Sequence, residues 1–517
     1  MNPIDMQVTD YNCEYLGLPR LCLMENAGKS LSDEVAKLST FKFSKPVKIL
    51  IFTGSGGNGG DGFVAARHLL NRGFEVDLYL LKNINEIKSN DALTNLKILN
   101  NLNPRISRLN IKYLQDSNDV DKLKSTLKKT NEEYIIIDGI LGTGIKGKLR
   151  IKERKTIELI NELNALKIAI DVPSGLNPLT GEISDISIIA DYTVSFHKIK
   201  TGLKKANNEI LGNLITCDIG IPLEAELLVG SGDLLKLNKR LENSHKGDNG
   251  KVLIIGGSKE YSGAPAIAGM SAIASGADLV YIMAPESSAN SIKSYSPDLI
   301  VKSLKGDYLN LQHEEEILEI IEKVDAILIG PGSSQNDETA KLFNKLAVKI
   351  KKPYVLDADA LKLIKKELIK NNKDIVLTPH QSEFNTFYNG LIDSNKNIKI
   401  NRTDFNSVND KINYLQSVTS SFKGVTVLKG ELDFILQGSK IKINSTGNSA
   451  MTVGGTGDSL AGLIVGLISQ SLTPFDAGSI GAFIHGKAGE DAFEKYGNGF
   501  SAVNLKEFIG KNIVGNS

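Results

Sequence analysis

The sequence predicts an α/β protein of two domains, each built on a mostly parallel β-sheet with helices on both faces. The chain has 517 residues, more than one ordinary hydrophobic core organises. Short apolar strand patterns alternate with helical patterns in both halves, which is typical of parallel sheets. Several strand patterns end in glycine-rich turns or carboxylates, as they do where such sheets bind ligands.

Composition and charge exclude several classes of protein. Hydrophobic residues make up 41% and charged residues 23%, which indicates a globular rather than a disordered chain. The 61 Lys and Arg residues balance 60 Asp and Glu residues, so we expect no nucleic-acid partner. Cys13, Cys22 and Cys217 cannot all pair, which favours a reducing compartment. Neither a signal peptide nor a membrane-spanning run is recognisable, so we expect a cytoplasmic protein without membrane attachment.

The first half carries the glycine-rich segment GSGGNGGDG, residues 54–62, directly after a predicted buried strand. The predicted elements of this half are helices over 9–40 and 63–71 and strands over 47–52, 75–81, 134–137, 167–170 and 191–196. Strand, glycine loop and helix in this order form the unit that binds nucleotides and phosphates. Glu75 and Asp77 do not end their strand, which argues against ordinary dinucleotide cofactor binding.

Two strands of this half end in carboxylates, Asp138 and Asp171. Because the carboxyl ends of parallel strands share one edge of the sheet, we expect both residues to face the crevice beside the glycine loop. A single Asp at a strand end is often only a turn or capping residue, but two beside a glycine loop favour a site. Oxygen donors on Asn58, Asp138 and Ser174 suit a hard cation.

The segments GSGGNGGDG, DGILGTGIKGKLR, DVPSGLNPLTG and TVSFHKIKTGL resemble, in this order, the epimerase domain for hydrated nicotinamide nucleotides, NAD(P)HX. The resemblance implies a Rossmann-like three-layer domain, which we assign to residues 1–225. It also implies a potassium ion held by Asn58, Asp138 and Ser174. The hydrate would contact Gly57, Asn58, Gly59, Gly60, Asp61, Gly142, Thr143, Gly144, Ile145, Lys146, Gly147, Lys148 and Asp171. Gly57 departs from the family pattern, which usually has a second Asn there.

Asp138 and Asp171 are the acid/base candidates of this domain. One of them could hold the cation while the other moves protons, and we prefer Asp171 for the proton transfer.

The second half is organised around GGTGD, residues 454–458, which precedes an apolar run that predicts a buried helix over 460–468. A glycine turn at a helix N-terminus offers unpaired N–H groups and a positive dipole end to an anion. Asp458 would repel a phosphate there, so its position makes sense if it takes a proton from a hydroxyl while the N–H groups hold phosphoryl charge. A tight turn with an Asp that favours the helix dipole is the structural alternative.

Other strand ends of this half also carry polar or glycine-rich turns. The predicted strands cover 251–255, 278–283, 325–329, 354–356, 374–377 and 425–428, and a small-residue helix is predicted over 266–275. The turns that follow three of them are GPG at 330–332, DADA at 357–360 and TPHQSE at 378–383. His380 is one of six histidines in the chain, and either a ligand role or a structural role fits it.

The segments HKGDNGKVLIIGGS, YSGAP, GPG, DADAL, TPHQSE, LKG and GGTGD resemble the ADP-dependent NAD(P)HX dehydratase, which has a ribokinase-like α/β fold. We assign this domain to residues 236–512. The resemblance implies hydrate contacts from Ala264, Gly332, His380 and Asp458, and adenine-nucleotide contacts from Lys429, Gly430, Glu431, Leu432, Asp433 and Gly457, with Mg²⁺ on the nucleotide. Asp433 departs from the hydroxyl residue usual in the family, and its carboxylate would weaken phosphate binding unless it points away.

Together the two resemblances imply an isomerase and a lyase in one chain. The first domain would interconvert the R and S hydrates, NADHX and NADPHX, and the second would dehydrate the S form at the expense of ADP, giving AMP and phosphate. ADP rather than ATP follows from the fused arrangement, and the family suggests a homotetramer. The alternative is a ribokinase-like small-molecule kinase fused to a non-catalytic nucleotide-binding domain.

Overall fold

The computed structural model describes residues 1–130, 132–142, 147–183, 185–389, 405 and 407–514. The chain divides into two compact units, Met1–Ala225 (unit 1) and Glu226–Ser517 (unit 2). Each unit has a mostly parallel sheet with hydrophobic clusters on both faces, so the predicted α/β class is confirmed. Among the described residues, no helix has the length and apolar character needed to cross a bilayer.

Unit 1 is built on a parallel sheet of seven strands. Its elements are α1 (Pro3–Tyr15), α2 (Arg20–Lys42), β1 (Lys48–Thr53), α3 (Gly57–Asn71), β2 (Val76–Leu80), α4 (Asn90–Leu102), β3 (Leu109–Tyr113), α5 (Ser117–Leu127), β4 (Tyr134–Gly139), α6 (Ile151–Glu162), β5 (Leu166–Ile170), β6 (Tyr192–Phe196), α7 (Asn208–Leu211), β7 (Asn213–Cys217) and α8 (Leu223–Leu227), in which the division between units falls. The strand order is β3-β2-β1-β4-β5-β6-β7. The order therefore reverses at β1, whose carboxyl end is the expected ligand-binding point.

The side chains of β1, an inner strand of this sheet, point alternately to its two faces. This alternation explains why helices cover both faces. Ile49 and Ile51 pack into the cluster formed with α1, α2, α3 and α4. Leu50 and Phe52 point the other way, into the cluster formed with α5 and α6. The three-layer arrangement thus follows from a strand whose four inner residues, Ile49 to Phe52, are all apolar.

Unit 2 has a nine-stranded sheet. Its elements are β8 (Lys251–Ile255), α9 (Gly263–Ala274), β9 (Leu279–Pro285), α10 (Glu286–Tyr295), β10 (Ile300–Leu304), α11 (Glu314–Ile321), β11 (Ala326–Ile329), α12 (Asp337–Lys349), β12 (Tyr354–Leu356), α13 (Ala360–Leu363), α14 (Lys366–Ile369), β13 (Ile375–Leu377), α15 (Gln381–Asn389), α16 (Val408–Thr419), β14 (Val425–Leu428), β15 (Asp433–Gln437), β16 (Lys440–Asn444), α17 (Thr456–Ser469), α18 (Pro474–Tyr496) and α19 (Leu505–Val514). The order is β10-β9-β8-β11-β12-β13-β14-β15-β16, and only the β14-β15 and β15-β16 pairs are antiparallel.

Short 3₁₀ helices complete the description of both units. They cover Ile84–Glu86, Asn103–Arg105, Ser231–Lys236, Leu311–His313, Ser449–Met451, Gly497–Gly499 and Ala502–Asn504.

The helix α17 lies at the centre of unit 2, and every residue from Ser459 to Ser469 is buried. Small residues let it approach α9 closely: a Cβ added at Gly462 would lie 2.1 Å from the carbonyl oxygen of Ala268. The local sequence explains the start of its neighbour α18, because Thr473 is the capping residue and Pro474 occupies the first helical position. The close contact with α9 fixes the position of α17 within unit 2.

Several predicted elements differ from the structure. The single helix predicted over 9–40 is two helices, because Gly17 adopts a φ of +91° and Pro19 precedes α2. The glycine segment predicted as a loop up to residue 62 is helical from Gly57 onwards, since α3 begins there. The prediction also missed β3, β7, β10, β15 and β16, which are edge or near-edge strands with weaker apolar patterns. Residues 226–235, which neither of the two assigned domains includes, lie in unit 2.

Candidate active sites

The glycine segment of unit 1, residues 54–62, is closely packed against neighbouring backbone at some positions and open at others. A Cβ added at Gly54 would lie 2.0 Å from the carbonyl oxygen of Ile140, and one at Gly59 would lie 2.5 Å from that of Gly54. By contrast, a Cβ at Gly56 or Gly57 would meet nothing within 4 Å. No side chain caps α3, so its first N–H groups face this open space. The arrangement can receive an anionic or polar ligand.

Asp138 and Ser174 lie together at the carboxyl edge of the same sheet. The Ser174 hydroxyl donates to Asp138 Oδ1 at 2.6 Å, and the Ser174 N–H donates to Asp138 Oδ2 at 2.8 Å. The Ser174 hydroxyl also accepts the Leu141 N–H at 2.8 Å. Burial raises the pKa of Asp138 to about 6, although its hydrogen bonds to Ser174 and Ile140 oppose this. A buried carboxylate that only neutral groups stabilise leaves a charge for a cation to balance.

Asn58 reaches the same place from the first turn of α3. Its Nδ2 donates to the carbonyl oxygen of Ile170 at 2.6 Å and approaches that of Leu141 at 3.4 Å. A Cβ at Gly142 would lie 2.6 Å from Asn58 Oδ1, so a glycine is required there for Asn58 to fit. The predicted cation donors are thus brought together. Within the described ranges, no group of three or more His, Cys, Asp or Glu side chains is arranged to hold a metal ion. The donor set of Asn58, Asp138 and Ser174 contains one carboxylate among neutral oxygens, which suits a monovalent cation.

Asp171 lies at the next strand end, in a separate polar environment. It adopts a φ of +62°, which a residue with a side chain rarely does and which is often found at functional sites. Ser195 Oγ and the Phe196 N–H donate to its Oδ1, each at 3.2 Å, and it forms an ion pair with Lys200, whose side chain is 1% exposed. The sequence segment HKIKTGL contains Lys200, but no property of that segment alone indicated a buried ion pair.

Two further carboxylates share this environment. Burial raises the pKa of Asp61 well above its ordinary range, and the charges of Asp171 and Asp10 add to the effect. Burial likewise raises the pKa of Asp10 to about 7, with Lys200 opposing and Asp171 adding. Asp10 lies on α1, and sequence reasoning missed it because a single acidic residue in a helical pattern carries no signal. Three carboxylates around Lys200 can hold and move a proton.

Part of the predicted hydrate-binding segment lies outside the described residues, namely Thr143, Gly144, Ile145 and Lys146. The segment resumes at Gly147, which has a φ of +75°, and Lys148, and both residues are exposed. Gly60 and Asp61 lie in α3 one turn beyond the open N-terminus.

In unit 2, Asp458 occupies the first turn of α17, as the sequence predicted. The preceding Gly455 has a φ of +92°, and no side chain caps the helix. A Cβ at Gly454 would meet nothing within 4 Å, so the turn is open to a ligand. Burial and the charge of Asp357 raise the pKa of Asp458 to about 7, while Lys429 opposes the shift. A carboxyl group with this pKa can accept a proton near neutral pH.

Lys429 lies directly beside that helix terminus. A Cβ added at Gly457 would be 3.2 Å from Lys429 Nζ, and the same nitrogen is 3.2 Å from Asp357 Oδ1. Asp357 belongs to the DADAL segment, yet sequence reasoning named only its position at a strand end. His485 on α18 was missed entirely: burial and the charge of Lys429 lower its pKa to about 4.

Ala264, in the first turn of α9, lies close to Gly332, which follows β11. A Cβ at Gly332 would be 3.4 Å from the Cβ of Ala264 and 2.9 Å from the Cβ of Tyr261. His380 follows β13 and pairs with Lys429 through an isolated parallel bridge. Its Nδ1 accepts the Ser382 N–H at 3.2 Å, and its Nε2 lies 3.4 Å from Glu383 Oε1, with just over half of the side chain exposed.

The Asp433 carboxylate is turned into its own hairpin. It accepts the Gly430 N–H at 3.0 Å and the Asn444 side-chain amide at 3.0 Å, and burial raises its pKa. It therefore shapes the turn of Gly430, Glu431 and Leu432, with its carboxylate held inside the hairpin.

Comparisons with known proteins identify the family of each part of the chain. A family model described as NAD(P)H-hydrate dehydratase matches residues 252–511, and one described as YjeF-related protein N-terminus matches residues 20–202. A bifunctional NAD(P)H-hydrate repair enzyme Nnr from Methanothermobacter thermautotrophicus is 44% identical over 98% of this chain and 94% of its own. The one from Archaeoglobus fulgidus is 38% identical over 99% of this chain and 97% of its own.

A solved ADP/ATP-dependent NAD(P)H-hydrate dehydratase from Bacillus subtilis, co-crystallised with ATP and Mg²⁺, is 24% identical. It aligns with a TM-score of 0.45 over 55% of this chain and 97% of its own. The identity to full-length relatives, together with both family models, decides the assignment. The chain belongs to the family of bifunctional NAD(P)H-hydrate repair enzymes.

Proposed function

We propose that unit 1 interconverts the R and S hydrates of NADH and NADPH, and that unit 2 dehydrates the S hydrate at the expense of ADP. The observation that carries the proposal is that Asp458 and Lys429 both lie at the open N-terminus of α17, where the charge of Lys429 acts on Asp458. A base beside a phosphate-binding helix end suits transfer of a phosphoryl group to a hydroxyl. The family of the full-length relatives supports the same reading.

In unit 2, the hydroxyl of the hydrated ring is a poor leaving group. Asp458 would take its proton while the N–H groups of Gly455, Thr456 and Gly457, together with Lys429, hold the phosphoryl group that leaves ADP. AMP would leave in this transfer. Loss of phosphate from the ring, together with a proton of the adjacent ring carbon that passes to solvent, would then restore the dihydropyridine. Ala264, Gly332 and His380 would hold the hydrate. Magnesium, when bound to the nucleotide, would neutralise part of the phosphate charge.

In unit 1, epimerisation requires the ring hydroxyl to leave one face and water to return to the other. Asp171 would move the proton in these steps, because it lies beside Lys200 and within the electrostatic influence of Asp61. Residues Gly57, Asn58, Gly59, Gly60 and Asp61, Gly142 and the segment 143–148 would hold the hydrate.

Potassium fits the oxygen donors of Asn58, Asp138 and Ser174 in unit 1. When bound there, it would supply a fixed positive charge that organises the strand ends and the glycine segment. Asp138 would then be the ligand rather than the proton carrier, because Ser174 and Ile140 already use both of its oxygens.

We further propose a homotetramer in the cytoplasm. The three free cysteines suit a reducing compartment. Leu21 on α2 and Ile98 on α4 are both 38% exposed, which suits packing between copies of the chain. Light scattering with chromatography would measure the assembly.

The direct test is recovery of the NADH absorbance band from a mixed R and S NADHX preparation. We expect full recovery with ADP and Mg²⁺, since the R half reaches the dehydratase only through epimerisation. Rapid recovery of the S fraction alone would mean that unit 1 does not catalyse epimerisation. A stable phosphate ester without NADH would favour the kinase alternative, and parallel assays with ATP would establish the nucleotide preference.

Potassium should stabilise unit 1 in a pH-dependent manner. Folding raises the pKa of Asp138 from 3.8 to about 6. Without a cation, the protonated carboxyl group therefore stabilises the folded state at low pH, and this stabilisation is lost as the pH rises through that range. Potassium binds the ionised form and would offset this loss above about pH 6. If the salt is about tenfold above its Kd, we expect Tm to rise by about 3–6 °C at about pH 7.5.

The measurement is scanning calorimetry in KCl against choline chloride at equal ionic strength. The rise should largely disappear at about pH 5, where Asp138 is mostly protonated. It should also disappear in Asp138→Asn, which identifies the transition that belongs to unit 1. An equal rise in this variant would rule out Asp138 as the ligand.

A further inference from the structure

Asp357 is a buried carboxylate that neither the motifs nor the proposed chemistry accounts for. It follows β12 directly, and only 2% of the residue is exposed. Its own N–H donates to the carbonyl oxygen of Ile329, so its backbone is held by the sheet. The next residue, Ala358, has a φ of +50°, which is unusual for alanine and indicates a constrained turn.

Three neighbouring strand ends converge on this carboxylate. Thr378, which follows β13, donates its hydroxyl to Asp357 Oδ1 at 2.7 Å. Lys429, which follows β14, donates from Nζ to the same oxygen at 3.2 Å. The strands are adjacent in the order β12-β13-β14, so the sheet itself sets the spacing of this row. The hydrogen bond from Thr378 orients the Asp357 carboxylate, and this carboxylate in turn orients the Lys429 ammonium.

The position of Lys429 is electrostatically unfavourable on its own. Its ammonium lies beside the N-terminus of α17, as the 3.2 Å distance to a Cβ at Gly457 shows. A helix N-terminus carries partial positive charge, so a cation there is repelled rather than attracted. In the absence of a bound anion, Asp357 supplies the negative charge that keeps the ammonium in place.

We propose that Asp357 is a positioning residue for phosphoryl transfer, holding the Lys429 ammonium where it meets the phosphoryl group of a nucleoside diphosphate. The inference rests on the proposed function of unit 2. An ammonium has three donors, and Asp357 takes one of them, which leaves two for phosphoryl oxygens. Because Asp357 already restricts the Lys429 side chain before the nucleotide binds, less conformational entropy of that side chain is lost during the reaction.

The phosphoryl transfer balances without any proton transfer by Lys429 or Asp357. The bond between the terminal phosphorus and its bridging oxygen breaks, and AMP leaves with that oxygen. The ring hydroxyl oxygen forms the new bond to phosphorus, and its proton passes to Asp458. Lys429 and Asp357 keep their protonation states from beginning to end.

The pH–rate profile gives a second test of the positioning role of Asp357, because charged groups face Asp458. They come from Asp357 and Asp359 after β12 and from Lys429 after β14, and His485 of α18 faces Lys429 in turn. Asp357 raises the pKa of Asp458, and Lys429 lowers it. Replacing Asp357 by a neutral residue should therefore move the acidic limb of the pH–rate profile to lower pH.

The test is a double-mutant cycle of Asp357→Asn and Lys429→Gln, assayed for dehydratase turnover and, by calorimetry, for binding of ADP with Mg²⁺. We expect Asp357→Asn alone to lower kcat/KM for ADP by about 30- to 100-fold, as for a misplaced charged donor. In the Lys429→Gln background it should change little, because its effect passes through Lys429. The acidic limb should also shift to lower pH in Asp357→Asn.

Scanning calorimetry of the unit 2 transition shows whether each variant is folded, and Asp325→Asn is the matched control. Asp325 is exposed before β11 and accepts the Lys251 N–H at 2.8 Å, so its loss should leave dehydration unchanged. Equal losses from Asp357→Asn in both backgrounds, or an unmoved pH limb, would overturn the inference. A wild-type chain without turnover would defeat the proposed function instead, and coupling in ADP binding would still decide the role of Asp357.

Discussion

Asp458→Asn is expected to lower the dehydratase kcat by about 10³-fold while epimerisation continues at its normal rate. Asparagine has the same shape as aspartate but cannot accept the proton of the ring hydroxyl. The helix start, Gly455 and Lys429 would remain in place, so nucleotide binding should persist. The measurement is NADH recovery from purified S hydrate with ADP and Mg²⁺, beside an R-to-S conversion assay on the same preparation.

This substitution should not weaken the fold. The folded-state pKa of Asp458 is raised to about 7, so above that pH its ionised form destabilises the folded state. We therefore expect Asp458→Asn to be as stable as the wild type or more stable at about pH 8. Asp476→Asn is the matched control, because Asp476 holds the corresponding first-turn position of α18 without facing the site. Near-normal turnover by a folded Asp458→Asn protein would rule out the proposed base.

Asp171→Asn is expected to lower the epimerase kcat by about 10²- to 10³-fold without affecting dehydration of the S hydrate. The amide cannot exchange a proton with the substrate. It also leaves the ammonium of Lys200, whose side chain is 1% exposed, without its carboxylate partner. Removing one member of a buried ion pair costs about 3–5 kcal/mol, so this variant can lose activity by unfolding unit 1.

A second variant separates these two causes. Asp171→Asn combined with Lys200→Met removes both charges, and it should regain thermal stability while remaining inactive in epimerisation. Asp138→Ala is the informative comparison, because it should lose the potassium response together with activity. Loss of epimerisation in Asp138→Ala but not in Asp171→Ala would reverse the assigned roles. The readout is the conversion of purified R hydrate, with calorimetry on each protein.

The sequence was informative where a motif combines local geometry with chemistry. The apolar run after GGTGD predicted a buried helix with Asp458 in its first turn, and α17 has this arrangement. The oxygen donors Asn58, Asp138 and Ser174 were named from strand ends and a glycine segment, and the structure brings them together. The family and the α/β class were both predicted, and the family models and the two sheets confirm them.

Local patterns were less informative where tertiary contacts compete with them. Gly57 to Asp61 were predicted as loop because glycines disfavour helices, yet they form the first turns of α3. Packing against Gly54 and the neighbouring strand offsets that weak propensity, since a side chain at Gly59 would strike the Gly54 carbonyl. Edge strands such as β3 and β7 carry fewer apolar residues, and sheet pairing decides their conformation.

What the sequence determined by itself was the α/β class, the presence of two domains and the identity of the residues at the ends of the inner strands. Periodicity and glycine turns are local properties, so they can be read without knowing the fold. Only the tertiary structure decided which charges meet: Lys200 with Asp171, and Lys429 with Asp357 beside Asp458. The physical reason is that burial and Coulomb interactions depend on distance in space, and residues far apart in the chain become neighbours only when the sheet aligns its strand ends.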